Sequence, residues 1–114
     1  MTNNDPVFKR KLELVAALRW SERLGLSEGI CNHYSAVHPT APDLFLLNPQ
    51  GIHWSEVQVG DILTVDLHGN VLQGKHSIEP SAFYIHSRIH SNNPSAVCVL
   101  HTHMPNATAL CCIE

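Results

Sequence analysis

The sequence predicts an α/β domain. Three observations carry that expectation. Segments of helical period open the chain and recur at residues 80–91, short Val- and Leu-rich runs lie between and after them, and Gly, Pro, Asn and Asp separate one from the next. With 44% hydrophobic and 15% charged residues in 114, the composition is that of one globular domain near the short end of the usual range.

Residues 6–24 predict a helix, because Phe8, Leu12, Val15, Leu18 and Leu24 recur at roughly helical spacing among Lys, Arg and Glu. Asp5 suits its N-cap, Pro6 its first turn and Gly25 its stop. Residues 34–37 and 44–47 predict short strands, the second bounded by Pro42-Asp43 and Asn48-Pro49. Residues 62–67 and 71–72 flank His68-Gly69-Asn70, a hairpin turn. Pro80 opens a second helix over 80–91, with Phe83, Ile85 and Ile89 supplying its buried face, and Asn92-Asn93-Pro94 ends it. Residues 96–101 predict a strand and 105–113 a third helix. The last residues, Cys111-Cys112-Ile113-Glu114, lie inside an apolar stretch without a polar tail. Residues 1–114 are therefore expected to be the N-terminal part of a single domain that is incomplete at the C-terminus.

Several function classes are disfavoured. Seven Lys+Arg against ten Asp+Glu give a net charge of −3, which argues against a nucleic-acid surface. No apolar run approaches the roughly 20 residues of a membrane span. The first residues have neither the basic nor the apolar region of a secretion signal, so a cytoplasmic location is expected. Cys31, Cys98, Cys111 and Cys112 form no CxxC pair and read as reduced, mostly buried thiols. Trp20 and Trp54 read as packing residues.

Histidine stands out, with nine residues. His101 and His103 stand at i, i+2 at a strand end, so an extended backbone puts both rings on one face, half of a zinc site. His86 and His90 share a face of the second helix. There a histidine packed on the sheet and a solvated one are expected, because no acidic residue lies between them as in zinc-protease helices. His33, His38, His53, His68 and His76 read as loop or turn residues. Residues 29–35 (Gly-Ile-Cys-Asn-His-Tyr-Ser) and 48–51 (Asn-Pro-Gln-Gly) are turns that can offer donors to an anion. Ser81, at the start of the second helix, is placed either to meet a phosphate or to cap the helix. Glu79 is the carboxylate near that start. It is a candidate general base, or an acid that stabilises the helix dipole.

The order of these blocks, more than any one of them, resembles the class II aldolase/adducin family. The amphipathic helix is followed by Gly-Ile-Cys-Asn-His-Tyr-Ser, Leu-Leu-Asn-Pro-Gln-Gly-Ile, Val-Gly-Asp-Ile-Leu-Thr-Val-Asp, Glu-Pro-Ser-Ala-Phe-Tyr-Ile-His and Val-Leu-His-Thr-His. The resemblance implies a three-layer αβα sandwich around a mainly antiparallel sheet. It implies zinc held by His101, His103 and a third histidine beyond Glu114. It implies a small, phosphorylated substrate contacted by Asn32, Gln50, Gly51 and Ser81, and a homotetramer. The family's aldolases carry a catalytic Glu four residues before the helix histidine, a position that here is Ala82. That departure resembles the adducin-like branch, in which the fold serves as a non-catalytic binding or structural domain of the actin cytoskeleton. Zinc-assisted lyase chemistry on a sugar phosphate or hydroxy-carbonyl compound and an adducin-like binding role are the two functional expectations.

Overall fold

The computed structural model describes residues 4–114. Helix α1 (Pro6–Arg23) starts where the Asp5 carboxylate accepts the Val7 N–H, with Pro6 in the first turn. It stops where Gly25 takes φ +70° and the Leu26 N–H turns back to the Ser21 carbonyl. Five strands follow: β1 (His33–Val37), β2 (Leu44–Leu47), β3 (Leu63–Asp66), β4 (Val71–Gln73) and β5 (Cys98–His101). They form one sheet in the order β4-β3-β2-β1-β5, and every pairing is antiparallel. Helix α2 (Pro80–Asn92) carries the chain from β4 across to β5 at the far edge, and α3 (Pro105–Cys111) follows β5. A 3₁₀ turn at Val59–Asp61, which the periodicity does not announce, is held by the Asp61 carboxylate accepting the Gln58 N–H. At the β3–β4 hairpin, the Asp66 carboxylate accepts the N–H groups of His68 and Asn70.

Strand alternation divides the core between the two faces of the sheet. Leu46 joins Leu14, Val15, Leu18, Tyr34, Trp54, Val57 and Ile62 beneath α1. Its neighbours Phe45 and Leu47 join Leu63, Val65 and Ala82 beneath α2. Helix, sheet and helix are thus stacked as three layers, as the resemblance implies.

Burial differs from the sequence expectation in four places. The inward stripe of α1 is Lys11, Leu14, Val15, Leu18 and Ser21, whereas Leu12 and Leu24 are exposed. Apolar residues lie on more than one side of this helix, so periodicity alone does not select the stripe. Lys11 is admitted because its ammonium reaches the Gln73 side-chain carbonyl at 3.2 Å. On α2 the buried residues are Ala82, His86, Ser87 and His90, with Phe83 packed beside them, while Ile85 is exposed. Both helix histidines face inward, because the β1 surface below offers hydrogen-bond partners rather than apolar side chains. All four cysteines are free and exposed rather than buried. Trp54 packs in the core, but Trp20 is exposed, with the Arg23 guanidinium 5.3 Å above its ring. Among the described residues, no helix is long and apolar enough to cross a membrane.

His86 makes this core sensitive to acid. Burial first, then the nearby His33, His90 and His101, lower its pKa from 6.5 to about 3. The unfolded chain therefore takes up the proton at a higher pH than the folded one. Stability is full above about pH 6.5, the unfolded value, and falls as pH drops towards the folded value. Urea midpoints measured between pH 7.5 and 4 are expected to decline steadily below pH 6.5. A midpoint that does not change over that range contradicts a buried neutral imidazole at position 86.

Candidate functional site

The pairing of β1 with β5 sets His33 opposite His101. His103 lies just past the end of β5, where its backbone N–H donates to the Leu26 carbonyl at 3.0 Å and fixes the exit of the chain. The His101 and His103 rings meet edge to face at 5.0 Å, with their Nε2 atoms 3.2 Å apart. Four nitrogens at about 2.0–2.1 Å from a zinc ion define a tetrahedron with an edge of about 3.3 Å. The Nε2 pair fits one such edge. The other ring nitrogen of His103, Nδ1, donates to the Glu28 carboxylate at 2.8 Å. This is the carboxylate–histidine arrangement that fixes ring orientation and raises ligand basicity. His101 and His103 therefore fit two positions of a zinc site. Among the described residues, no group of three or more His, Cys, Asp or Glu side chains is arranged to hold a metal ion.

His33, expected in a loop, is a buried residue of β1. Its Nε2 lies 3.2 Å from His101 Nδ1, and its Nδ1 lies 2.7 Å from His86 Nε2. Burial first, then His101 and His103, outweigh the attraction of Glu79 and push its pKa down to about 4. Alternation was the signal available in the sequence. Tyr34 and Ala36 take the α1 face, so His33 and Ser35 must share the other.

The sequence-singled residues fall into two groups. Asn32 is buried just before β1. Its Oδ1 accepts the Glu28 N–H at 2.7 Å. Its Nδ2 is the one buried side-chain polar atom without a partner among the described residues. Glu79 lies on the other side, with Oε2 4.0 Å from His33 Nε2. It is Glu79, not Ser81, that caps α2. Its carboxylate accepts the Ala82 N–H and the Ser81 hydroxyl, each at 2.7 Å. Burial acts to raise the Glu79 pKa, but the hydrogen bonds from Ser81 and Ala82, with His33 nearby, outweigh it and leave the carboxyl below its usual range. His101 thus meets His33 directly and His103 meets His101, Glu79 approaches His33 with Ser81 bonded to it, and Asn32 is tied to Glu28, the residue that pairs with His103. Gln50 and Gly51 stand apart, on an exposed turn where Gly51 takes φ +82°. The Gln50 N–H ties this turn to the Ser77 carbonyl just before α2. Ala82 is packed against the β2–β3 face. A concavity of about 600 Å³ between α1 and the 3₁₀ turn, lined by Phe8, Leu12, Val15 and Val59 among others, holds none of these groups.

The family profile described as "Class II Aldolase and Adducin N-terminal domain" matches residues 12–114. The chain belongs to the class II aldolase and adducin family. An adducin-related protein of Schizosaccharomyces pombe is 31% identical over 120 residues, covering 96% of this chain and 36% of that protein. An aldolase II superfamily protein from Pseudomonas syringae has a structure that superposes with a TM-score of 0.92. It is 26% identical, covering 97% of this chain and 45% of that one. L-fuculose 1-phosphate aldolase from Glaciozyma antarctica superposes with a TM-score of 0.85. It is 28% identical, covering 90% of this chain and 43% of that one. This family member thus spans less than half the length of each of these relatives.

Ala82 has a structural consequence of its own. At 1% exposure, with Phe45, Leu47, Leu63 and Val65 in the same cluster, the position leaves a longer, charged side chain without solvent. Ala82→Glu is expected to cost about 2–3 kcal/mol of stability through carboxylate desolvation. Urea unfolding of the variant beside the parent checks this. Unchanged stability would show that position 82 opens to water.

Proposed function

We propose that this family member carries out zinc-dependent lyase chemistry, aldol cleavage or a related reaction, on a small sugar phosphate or hydroxy-carbonyl compound. The observation that carries the reading is the His101–His103 Nε2 pair, spaced like one edge of a zinc tetrahedron and backed by Glu28. The likeness to a protein named L-fuculose 1-phosphate aldolase supports the substrate class.

When bound, zinc supplies a Lewis acid that polarises a carbonyl or enediolate oxygen. The rest falls to side chains. His101 and His103 hold the metal, and Glu28 keeps the His103 ring turned with Nε2 outward. Asn32, with its unpaired Nδ2, offers a donor to the substrate's anionic end. Ser81 and the Gln50-Gly51 turn extend that subsite in this reading. Glu79 already occupies the hydrogen-bond donors at the start of α2, so an incoming phosphate must compete with its carboxylate there. Its lowered pKa makes Glu79 a weak proton acceptor, and Ala82 has no proton-accepting group at all. The general base is therefore assigned to residues outside 1–114 or to a neighbouring subunit. A homotetramer in the cytoplasm completes the reading.

A second reading, an adducin-like non-catalytic binding domain, is favoured by one specific observation. The position four residues before His86 is an alanine packed in the core. Native mass spectrometry of the protein from its complete reading frame separates the two. One zinc per subunit in a tetramer, lost in a folded His101→Ala variant, is the expected result. Metal retained by His101→Ala overturns the ligand assignment. A wild type that stays metal-free after incubation with zinc moves the assignment to the binding role. Cleavage of at least one member of a ketose-phosphate panel by the zinc-loaded protein completes the test.

A further inference from the structure

His101 is one end of a continuous chain of hydrogen bonds that runs through the interior beneath α2. His101 Nδ1 meets His33 Nε2 at 3.2 Å, and His33 Nδ1 meets His86 Nε2 at 2.7 Å. His86 Nδ1 bonds the Ser35 hydroxyl, which bonds His90 Nε2 at 2.7 Å. His90 Nδ1 ends the chain on the Ala96 carbonyl at 2.9 Å. His33, Ser35, His86 and His90 are all buried, so these bonds cannot be exchanged for bonds to water without cost.

The last bond has only one possible direction, because a carbonyl oxygen accepts and never donates. His90 must carry its proton on Nδ1. Its Nε2 is then an acceptor, and the Ser35 hydroxyl donates to it. Ser35 has one proton, now used, so its oxygen accepts from His86 Nδ1–H. A neutral His86 then accepts at Nε2, which requires His33 to donate from Nδ1. A neutral His33 accepts at Nε2, which requires His101 to donate from Nδ1. At pH 8, above the ordinary imidazole pKa of about 6.5, the buried rings of the chain are neutral, so each offers one N–H and one lone pair. The consequence at the far end is specific: His101 holds its proton on Nδ1 and presents the lone pair of Nε2 towards His103.

We propose that the Ala96 carbonyl, acting through Ser35 and the rings of His90, His86 and His33, fixes the tautomer of His101 and so dictates that Nε2 faces the metal position. Ser35, His86, His90 and His33 are positioning residues, and none of them touches the metal or the substrate. Glu28 does the same for His103 from the opposite side. Two polarised hydrogen-bond paths, one ending on a backbone carbonyl and one on a carboxylate, thereby point two lone pairs at each other across 3.2 Å. A shared cation relieves that contact. The inference rests on the zinc reading only for the purpose of the relay, not for its direction.

Its test is therefore made first without metal. Nitrogen-15 spectra of the ring nitrogens of the metal-free, complete protein at pH 8 should show His33, His86, His90 and His101 all protonated on Nδ1. That is the reverse of the Nε2–H form that predominates for free histidine. Ser35→Ala should mix the tautomers of His33 and His101 and weaken zinc binding by about 10–100-fold, the usual cost of losing an outer-shell partner. Ser35→Thr, which keeps the hydroxyl, should restore both. A pyrrole-type signal at His101 Nε2 in the wild type overturns the proposal. So does a Ser35→Ala chain whose His101 pattern is unchanged. Should Ser35→Ala fail to fold, the wild-type spectrum and Ser35→Thr still decide. A wild type that shows the Nδ1–H pattern but binds no zinc upholds the relay and overturns the zinc reading, so the two can fail separately.

Discussion

The Ser35 hydroxyl is the group on which the arrangement of the site depends. It lies fully buried on the α2 face of β1 and bonds the inward imidazoles of α2, His86 and His90. A buried polar group left unpaired costs about 1–3 kcal/mol, so the helix cannot rotate or slide on the sheet without losing these partners together. The same two bonds explain why α2 turns its histidines inward and leaves Ile85 in solvent. An apolar strand beneath the helix would have drawn Ile85 in and left the histidines out.

From that fixed interface the geometry spreads outward. His33 is held between His86 and His101, and His101 is held by its cross-strand register with His33. The exit of β5 is pinned to Leu26 through the His103 N–H, and the His103 ring is pinned to Glu28. The segment around residues 26–32 therefore serves twice. It supplies the carboxylate behind one candidate ligand, and its Glu28 N–H holds the buried Asn32 side chain, whose Nδ2 has no partner among the described residues. Fold and site draw on the same hydrogen bonds, and acid that protonates His86 weakens both.

Much of the fold was legible along the chain. Asp5-Pro6 and Gly25 bracket α1 because capping and left-handed geometry depend on local residue type. His68-Gly69-Asn70 marks the β3–β4 hairpin for the same reason. The pairing of His101 with His103 was legible too, because i, i+2 spacing on extended backbone needs no tertiary information. The faces of the helices were less legible. The apolar residues of α1 do not single out one stripe, and Lys11 earns its place only through Gln73. Cys31, Cys98, Cys111 and Cys112 are exposed, although cysteine is among the more often buried types.

The sequence by itself determined the order of helices and strands, the α/β class and the presence of a histidine pair at a strand end, since each follows from residues close together in the chain; the three-layer stacking was implied only by the family resemblance. Only the tertiary structure decided that His33 belongs with that pair, that Glu79 caps α2 and approaches His33, and that Ala82 is packed in the core. Those relations join residues up to 68 positions apart. They are set by strand order and by the burial of polar groups that must find one another, and neither is encoded in any local window of sequence.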